Sequence, residues 1–183
     1  MIILMGMSGS GKTAIAKELN RRGYERVITY TTRPIRENEK DGVDYHYISD
    51  KEFTAMVKNK EFAEWKEYNA SFGKCKYGST VESYKNKNKA VIILTPSGVE
   101  DVLDAGIEAI IVYVKCDIKT LINRLQSRGD DTQEINRRLA ADKKDFANAD
   151  NLADIMFDNS EADDIKNVCD RLEIELNKLN GGN

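Results

Sequence analysis

Proline, cysteine, histidine and tryptophan are all scarce in this chain: two, three, one and one of them in 183 residues. The cysteines, Cys75, Cys116 and Cys169, are odd in number, widely spaced and free of any Cys-x-x-Cys or Cys/His ligand spacing. That pattern excludes a disulfide framework and a structural zinc site, and it predicts a cytoplasmic chain with reduced thiols. Long apolar runs are missing too. Met1 to Met5 is apolar but stops at Gly6 without a basic leader or cleavage site, and no later run approaches the roughly 18 residues a membrane span needs. An excess of positive charge is also lacking: 28 Lys and Arg against 31 Asp and Glu give a net charge of −3. The balance argues against nucleic acid as a partner, yet leaves room for a small cationic cleft.

What is present suits a folded enzyme-sized unit. Hydrophobic residues make up 40% and charged residues 32%, and the length fits one domain with one core. No internal repeat or linker appears; only a Lys/Asn patch at 85–89 and a Gly-Gly-Asn tail are compositionally biased. Short apolar runs at 2–5, 27–31, 90–95, 109–114 and 155–157 alternate with helical periodicity at 13–22, 121–128, 134–146 and 163–179. This alternation predicts an α/β protein with a parallel sheet covered by helices on both faces. The segment from about 33 to 84 breaks the rhythm and reads as an inserted lobe. A helix opens there at the capping box Ser49-Asp50-Lys51-Glu52, and a hairpin follows around Phe72 and Gly73. Asp117 is an expected N-cap, Gly129 an expected helix stop, and 128–133 an expected mobile polar loop.

Gly6-Met7-Ser8-Gly9-Ser10-Gly11-Lys12-Thr13 matches G-x-x-x-x-G-K-[ST], between an apolar strand and a helix. Glycines let the backbone N–H groups converge on phosphate oxygens, the helix N-terminus adds partial positive charge, Lys12 reaches the terminal phosphates and the Thr13 hydroxyl ligates Mg²⁺. The expected nucleotide contacts are Gly6, Ser8, Gly9, Ser10, Gly11, Lys12, Thr13 and Ala14. GTPases need Asp-x-x-Gly and Asn-Lys-x-Asp elements as well, and neither occurs. Kinase chemistry with ATP follows, and it requires cations on both sides of the transferring phosphoryl.

Two cationic clusters are available. Thr31-Thr32-Arg33-Pro34-Ile35-Arg36 precedes Asp41-Gly42-Val43-Asp44-Tyr45-His46-Tyr47, and two guanidiniums three residues apart can grip one phosphate. Arg124, Arg128, Arg137 and Arg138 flank the expected loop. At the first cluster the chain resembles the guanylate kinase family, whose T-T-R-x-x-R and G-x-D-Y-x-F/Y signatures are both present, and Phe62-Ala63-Glu64-Trp65 and Tyr77-Gly78-Ser79-Thr80 continue the likeness over essentially the whole chain. The resemblance implies a P-loop NMP-kinase fold of one domain, 1–183: a five-stranded parallel core (1–31 and 85–183), an NMP-binding insertion (32–84) and a lid (about 124–138). It implies ATP-dependent phosphorylation of GMP, and of dGMP, to the diphosphate. Arg33, Arg36, Tyr45 and Tyr77 would hold the acceptor phosphate; Glu64 would accept from guanine N1–H and its amino group; Ser79 and Thr29 would donate to O6. Arg124, Arg128 and Arg138 would close over the triphosphate, with Lys12, Arg33, Arg128 and Arg138 catalytic, and Asn159 would contact adenine. Arg137 has no such match and reads as surface; His46 and Trp65 read as packing.

The chain departs from the family at the third core strand, where Ile93-Leu94-Thr95-Pro96-Ser97 stands in place of an Asp-x-Asp pair. Thr95 or Ser97 would then orient a metal-bound water. The hairpin between Glu64 and Tyr77 is also longer than usual. A related kinase acting on another nucleotide or a ribose bisphosphate stays open as an alternative, as does a non-catalytic binding module. Sequence leaves monomer and homodimer equally open. Lys12→Ala is expected to abolish phosphoryl transfer in a coupled ADP-release assay; undiminished turnover would refute the donor-site assignment.

Overall fold

The computed structural model describes residues 1–37, 39–70, 73–161 and 163–181. Phe72 of the expected hairpin turn and the last two residues of the tail lie outside them. Five strands form one sheet: β1 (Ile2–Met5), β2 (Glu25–Arg26), β7 (Ala90–Ile93), β8 (Ile110–Lys115) and β9 (Ile155–Asp158). They run in the order β2-β7-β1-β8-β9, and every pairing is parallel. Alternate side chains of β1 feed two cores. Ile2 and Leu4 pack with α1 (Lys12–Arg21) and α7 (Ile165–Asn180) through Ile15, Leu19, Val168 and Leu172. Ile3 and Met5 point the other way, toward Val99 and Val102 of α4 (Pro96–Asp104). A strand buried on both faces must be apolar at every position, which is why β1 reads as an unbroken run.

The second sheet runs β4-β3-β6-β5, from β3 (Tyr30–Thr31), β4 (His46–Tyr47), β5 (Phe62–Ala70) and β6 (Gly73–Thr80). It is mixed: β3 pairs parallel with β4 and antiparallel with β6. Helix α2 (Asp50–Lys58) opens with the expected capping box, Ser49 and Glu52 bonding each other's backbone N–H. From it Phe53, fully buried, stacks on Phe62 at 4.4 Å and meets Trp65 edge-on at 6.1 Å. His46 packs against Tyr30 at 4.6 Å. These rings form the small sheet's own apolar layer.

Three local expectations need correction. The apolar run 27–31 is not one strand: Val27 still donates to the Val91 carbonyl beside β7, whereas Tyr30 and Thr31 have crossed to pair with β6. Helix α4, with Thr95 as N-cap and Pro96 in its first turn, was not read from the sequence although both are start signals. The polar loop is shorter than 128–133. Helix α5 (Ile118–Ser127) is capped by Asp117 and followed by Gly129 at φ +83°, but α6 (Thr132–Asp145) has already begun, with Asp131 as its N-cap.

The β5–β6 pair contains a close backbone approach. A β-bulge shifts the register so that Glu64 faces Ser79, and Ala63 and Glu64 are both buried in succession. Opposite them, a Cβ on Gly78 would lie 2.8 Å from the Glu64 carbonyl oxygen and 2.8 Å from Trp65 Cβ. Gly78→Ala is therefore expected to destabilise the protein by about 1–3 kcal/mol in urea unfolding. An unchanged midpoint would mean that the two strands are not held at this spacing.

Candidate active site

The loop after β1 lies at the carboxyl end of the sheet, where the chain leaves β1 toward β2 on one side and β8 lies on the other, the position at which open α/β sheets bind ligands. Gly11 ends it at φ +101°, and a Cβ there would come within 2.5 Å of the Asn159 amide nitrogen. Asn159, 5% exposed, donates that amide to the Ser10 carbonyl at 2.8 Å. So the residue expected to contact adenine is placed against the loop backbone, and its own Oδ1 has no partner among the described residues. Arg124 lies on the same side, bonded to Cys116 Sγ and the Glu161 carbonyl, beside a hollow of about 570 Å³.

Lys12 folds back over the loop, donating to the carbonyls of Gly6 at 2.6 Å and Met7 at 3.0 Å. Burial pulls its ammonium down to about 8, Asp142 opposes the shift and Arg128 adds to it. That places Arg128 within electrostatic reach of Lys12. Thr13 and Ala14 follow in the first turn of α1, both exposed. Arg138 faces elsewhere in this state, pairing with Glu134 at 2.7 Å and Asp130 at 3.6 Å. Arg137, expected at the surface, also pairs with Glu134.

Across from the loop, one cleft of about 510 Å³ brings Gly6, Ser8 and Lys12 together with Thr29, Arg33, Arg36, Tyr45, Glu64, Tyr77 and Thr95. Arg33 is 6% exposed and fully engaged: Nε donates to Tyr77 Oη at 3.0 Å, Nη1 to the Pro34 carbonyl, and Nη2 to both oxygens of Glu39. Glu39 also accepts from the Tyr47 hydroxyl and the Arg36 backbone N–H. The Arg33 hydrogen bond, first among these, holds the Glu39 carboxyl down at about 2. Sequence reasoning missed Glu39 and Tyr47 as parts of this site. Glu39 lies in irregular backbone between β3 and β4, where no periodicity links it to Arg33, and its position gave no signal.

Glu64 lies in the opposite environment. It is 7% exposed, and burial raises its carboxyl above the usual range. Ser79 donates to Glu64 Oε1 at 2.6 Å, and with that hydrogen committed the 2.5 Å contact between Ser79 and Tyr84 must be donated by Tyr84. The relay Tyr84–Ser79–Glu64 differs from the expectation that Ser79 donates to a base oxygen: here its proton belongs to Glu64. Thr95 caps α4, its Oγ1 accepting from Gly98 N–H at 3.3 Å. Among the described residues, no three His, Cys, Asp or Glu side chains cluster as a metal site.

A phosphate loop on a parallel sheet, facing a second small sheet that presents arginines and a buried carboxylate, defines a P-loop phosphotransferase of the nucleoside monophosphate kinase fold. Comparison with known proteins narrows this. The family model described as Guanylate kinase matches residues 1–177. Guanylate kinase of Thermobifida fusca is 32% identical over 180 residues, covering 94% of this chain and 88% of that protein. That of Malacoplasma penetrans is 34% identical over 183 residues, covering 94% and 89%. The crystal structure of guanylate kinase from Anaplasma phagocytophilum, 20% identical, matches the fold with a TM-score of 0.68 over 97% of this chain and 84% of that one. The chain belongs to the guanylate kinase family.

Glu39→Gln is expected to lower stability at neutral pH. Because the folded-state carboxyl is depressed, its stabilisation is complete above the ordinary value of 4.5 and is lost as pH falls toward about 2. The gap between wild type and variant in urea midpoint should shrink over that window; a gap independent of pH would show that the Arg33 pair is not its source.

Proposed function

We propose that this protein transfers the terminal phosphoryl group of ATP to GMP, forming ADP and GDP. The single observation that carries the reading is the shared cleft, in which Lys12 of the phosphate loop faces Arg36, Tyr45 and Tyr77 with no wall between them. Bound together, two anionic substrates need fixed cations on each side and exclusion of water between them, and phosphoryl transfer asks little else of the protein.

Arg33 serves the acceptor phosphate mostly through its neighbours. With its charge matched by Glu39, it orients Tyr77, whose hydroxyl accepts from Nε and keeps its own proton for a phosphate oxygen. Arg36 ties its backbone N–H to Glu39 and lines the cleft, so its guanidinium is the second half of the clamp. Glu64 reads the base. A buried carboxylate needs donors, and guanine offers two adjacent ones on one edge where adenine offers none. This preference also weighs against an acceptor without a base, such as a ribose bisphosphate. On the donor side, the hollow beside Arg124 suits the adenine and ribose, and Arg128 and Arg138 would approach the phosphates as α5 and α6 close.

Magnesium fits the donor set as an ion held mostly by its nucleotide. Thr13 offers one exposed hydroxyl beside Lys12, and Mg²⁺ commonly takes one or two protein oxygens together with substrate phosphates and waters. When bound, the ion supplies charge neutralisation across the phosphate oxygens. Thr95 and Ser97, 3.3 Å apart, are the hydroxyls at the strand end where the family places carboxylates, and they can orient water without adding charge.

A panel of nucleoside monophosphates in a coupled ADP-release assay tests the reading. GMP is expected to exceed AMP in kcat/KM by roughly a hundredfold or more, since AMP brings no N–H donors to the buried Glu64 carboxylate and leaves it with Ser79. Equal rates for the two would remove guanine from the assignment.

A further inference from the structure

Helix α6 is polar over most of its surface, and its less exposed positions, Ile135, Arg138, Leu139 and Asp142, follow one face. Where that face meets the phosphate loop the side chain is an acid. Asp142 Oδ2 accepts the Ser8 backbone N–H at 2.5 Å and lines the cleft beside Lys12. A backbone N–H of a phosphate loop is a seat for a phosphate oxygen, and here a carboxylate fills it.

The position within the loop matters. Gly11 and Ser10 face Asn159 and Arg124, on the side away from the acceptor. Ser8 lines the cleft shared with Arg33, Arg36 and Tyr77. A triphosphate laid along the loop therefore puts its transferable end at Ser8 and its inner phosphates toward Gly11. Asp142 stands where the transferable phosphoryl must go, and its negative charge would oppose that group at contact distance.

We propose that Asp142 is a displaceable occupant of the transferable phosphoryl's seat, so that it discriminates between tri- and diphosphate at the donor site. ATP must expel the carboxylate from Ser8, which weakens its binding; ADP ends short of that seat and leaves the contact in place. The inference rests on the donor-site reading above.

Isothermal titration calorimetry with a non-hydrolysable ATP analogue and with ADP, both with Mg²⁺ and without GMP, tests it on the wild type, Asp142→Ala and Asp142→Asn. Asp142→Ala should bind the triphosphate analogue about tenfold tighter while ADP changes by less than about twofold, because a hydrogen bond to a charged acceptor and a like-charge contact are removed for one ligand only. Asp142→Asn keeps the size and a carbonyl acceptor for Ser8 but loses the charge, so it should show the same selectivity with a smaller gain, and it keeps the test alive if the alanine variant melts early. An equal change for both nucleotides, or weaker triphosphate binding, overturns the proposal. Binding of neither nucleotide to the wild type would instead overturn the donor-site reading, and the inference with it.

Discussion

The placement of one ammonium group governs the donor half of this molecule. Lys12 has to be held, partly buried, at the mouth of a loop built from backbone. The loop's own carbonyls at Gly6 and Met7 do so, and those carbonyls are fixed because the chain has just left β1, the central strand, whose four residues are all buried. Glycine at 11 lets the turn close against Asn159, and Asn159 ties Ser10 down from beneath. An apolar central strand, a left-handed glycine and a buried amide thus serve one end: a lysine whose charge is available when phosphate arrives. Burial weakens that charge, pulling the group toward about 8, so the site leaves Lys12 poorly solvated until an anion compensates it.

The acceptor half solves a related problem with two glutamates in contrasting surroundings. Glu39 is held far into its charged form by Arg33, and the pair, with Tyr47, Tyr77 and the backbone at Pro34 and Arg36, makes a polar frame. Glu64 is pushed the other way by burial, with only Ser79 donating to its carboxylate. A group so placed gains most from a ligand that brings N–H donors. The same side-chain chemistry thereby yields a structural anchor at one position and a selective receptor at the other, and what separates them is whether a cation sits alongside.

Legibility in the sequence followed the locality of the constraint. The phosphate loop, the capping box at Ser49 and the N-cap at Asp117 were readable because each is complete within a few consecutive residues. The crossing from the large sheet to the small one between Val27 and Tyr30 was not, since an apolar run carries no mark of which sheet it joins. Arg33 and Arg36 were paired by their spacing, whereas joining Glu64 to them came from resemblance; all three line one cleft. Their partners Glu39, Tyr47 and Tyr84 escaped because side-chain pairing across irregular backbone has no period. Asp142 escaped for a stronger reason: its contact with Ser8 spans 134 positions, and on sequence alone it is one of three acids on a polar helix.

Asp142 also bears on the missing strand carboxylates. With Thr95 and Ser97 at the end of the third strand, the floor of the cleft carries hydroxyls where an acidic pair would have added negative charge next to the phosphates. Among the described residues, the carboxylate that meets the phosphate loop comes instead from α6, outside the parallel sheet. A carboxylate on a strand end would act on every ligand state alike; one hydrogen-bonded to a phosphate-loop N–H acts there only until a ligand takes that N–H. Moving the acid from the strand end to the Ser8 N–H therefore converts a constant feature of the site into a conditional one, tied to whether the transferable phosphate is present.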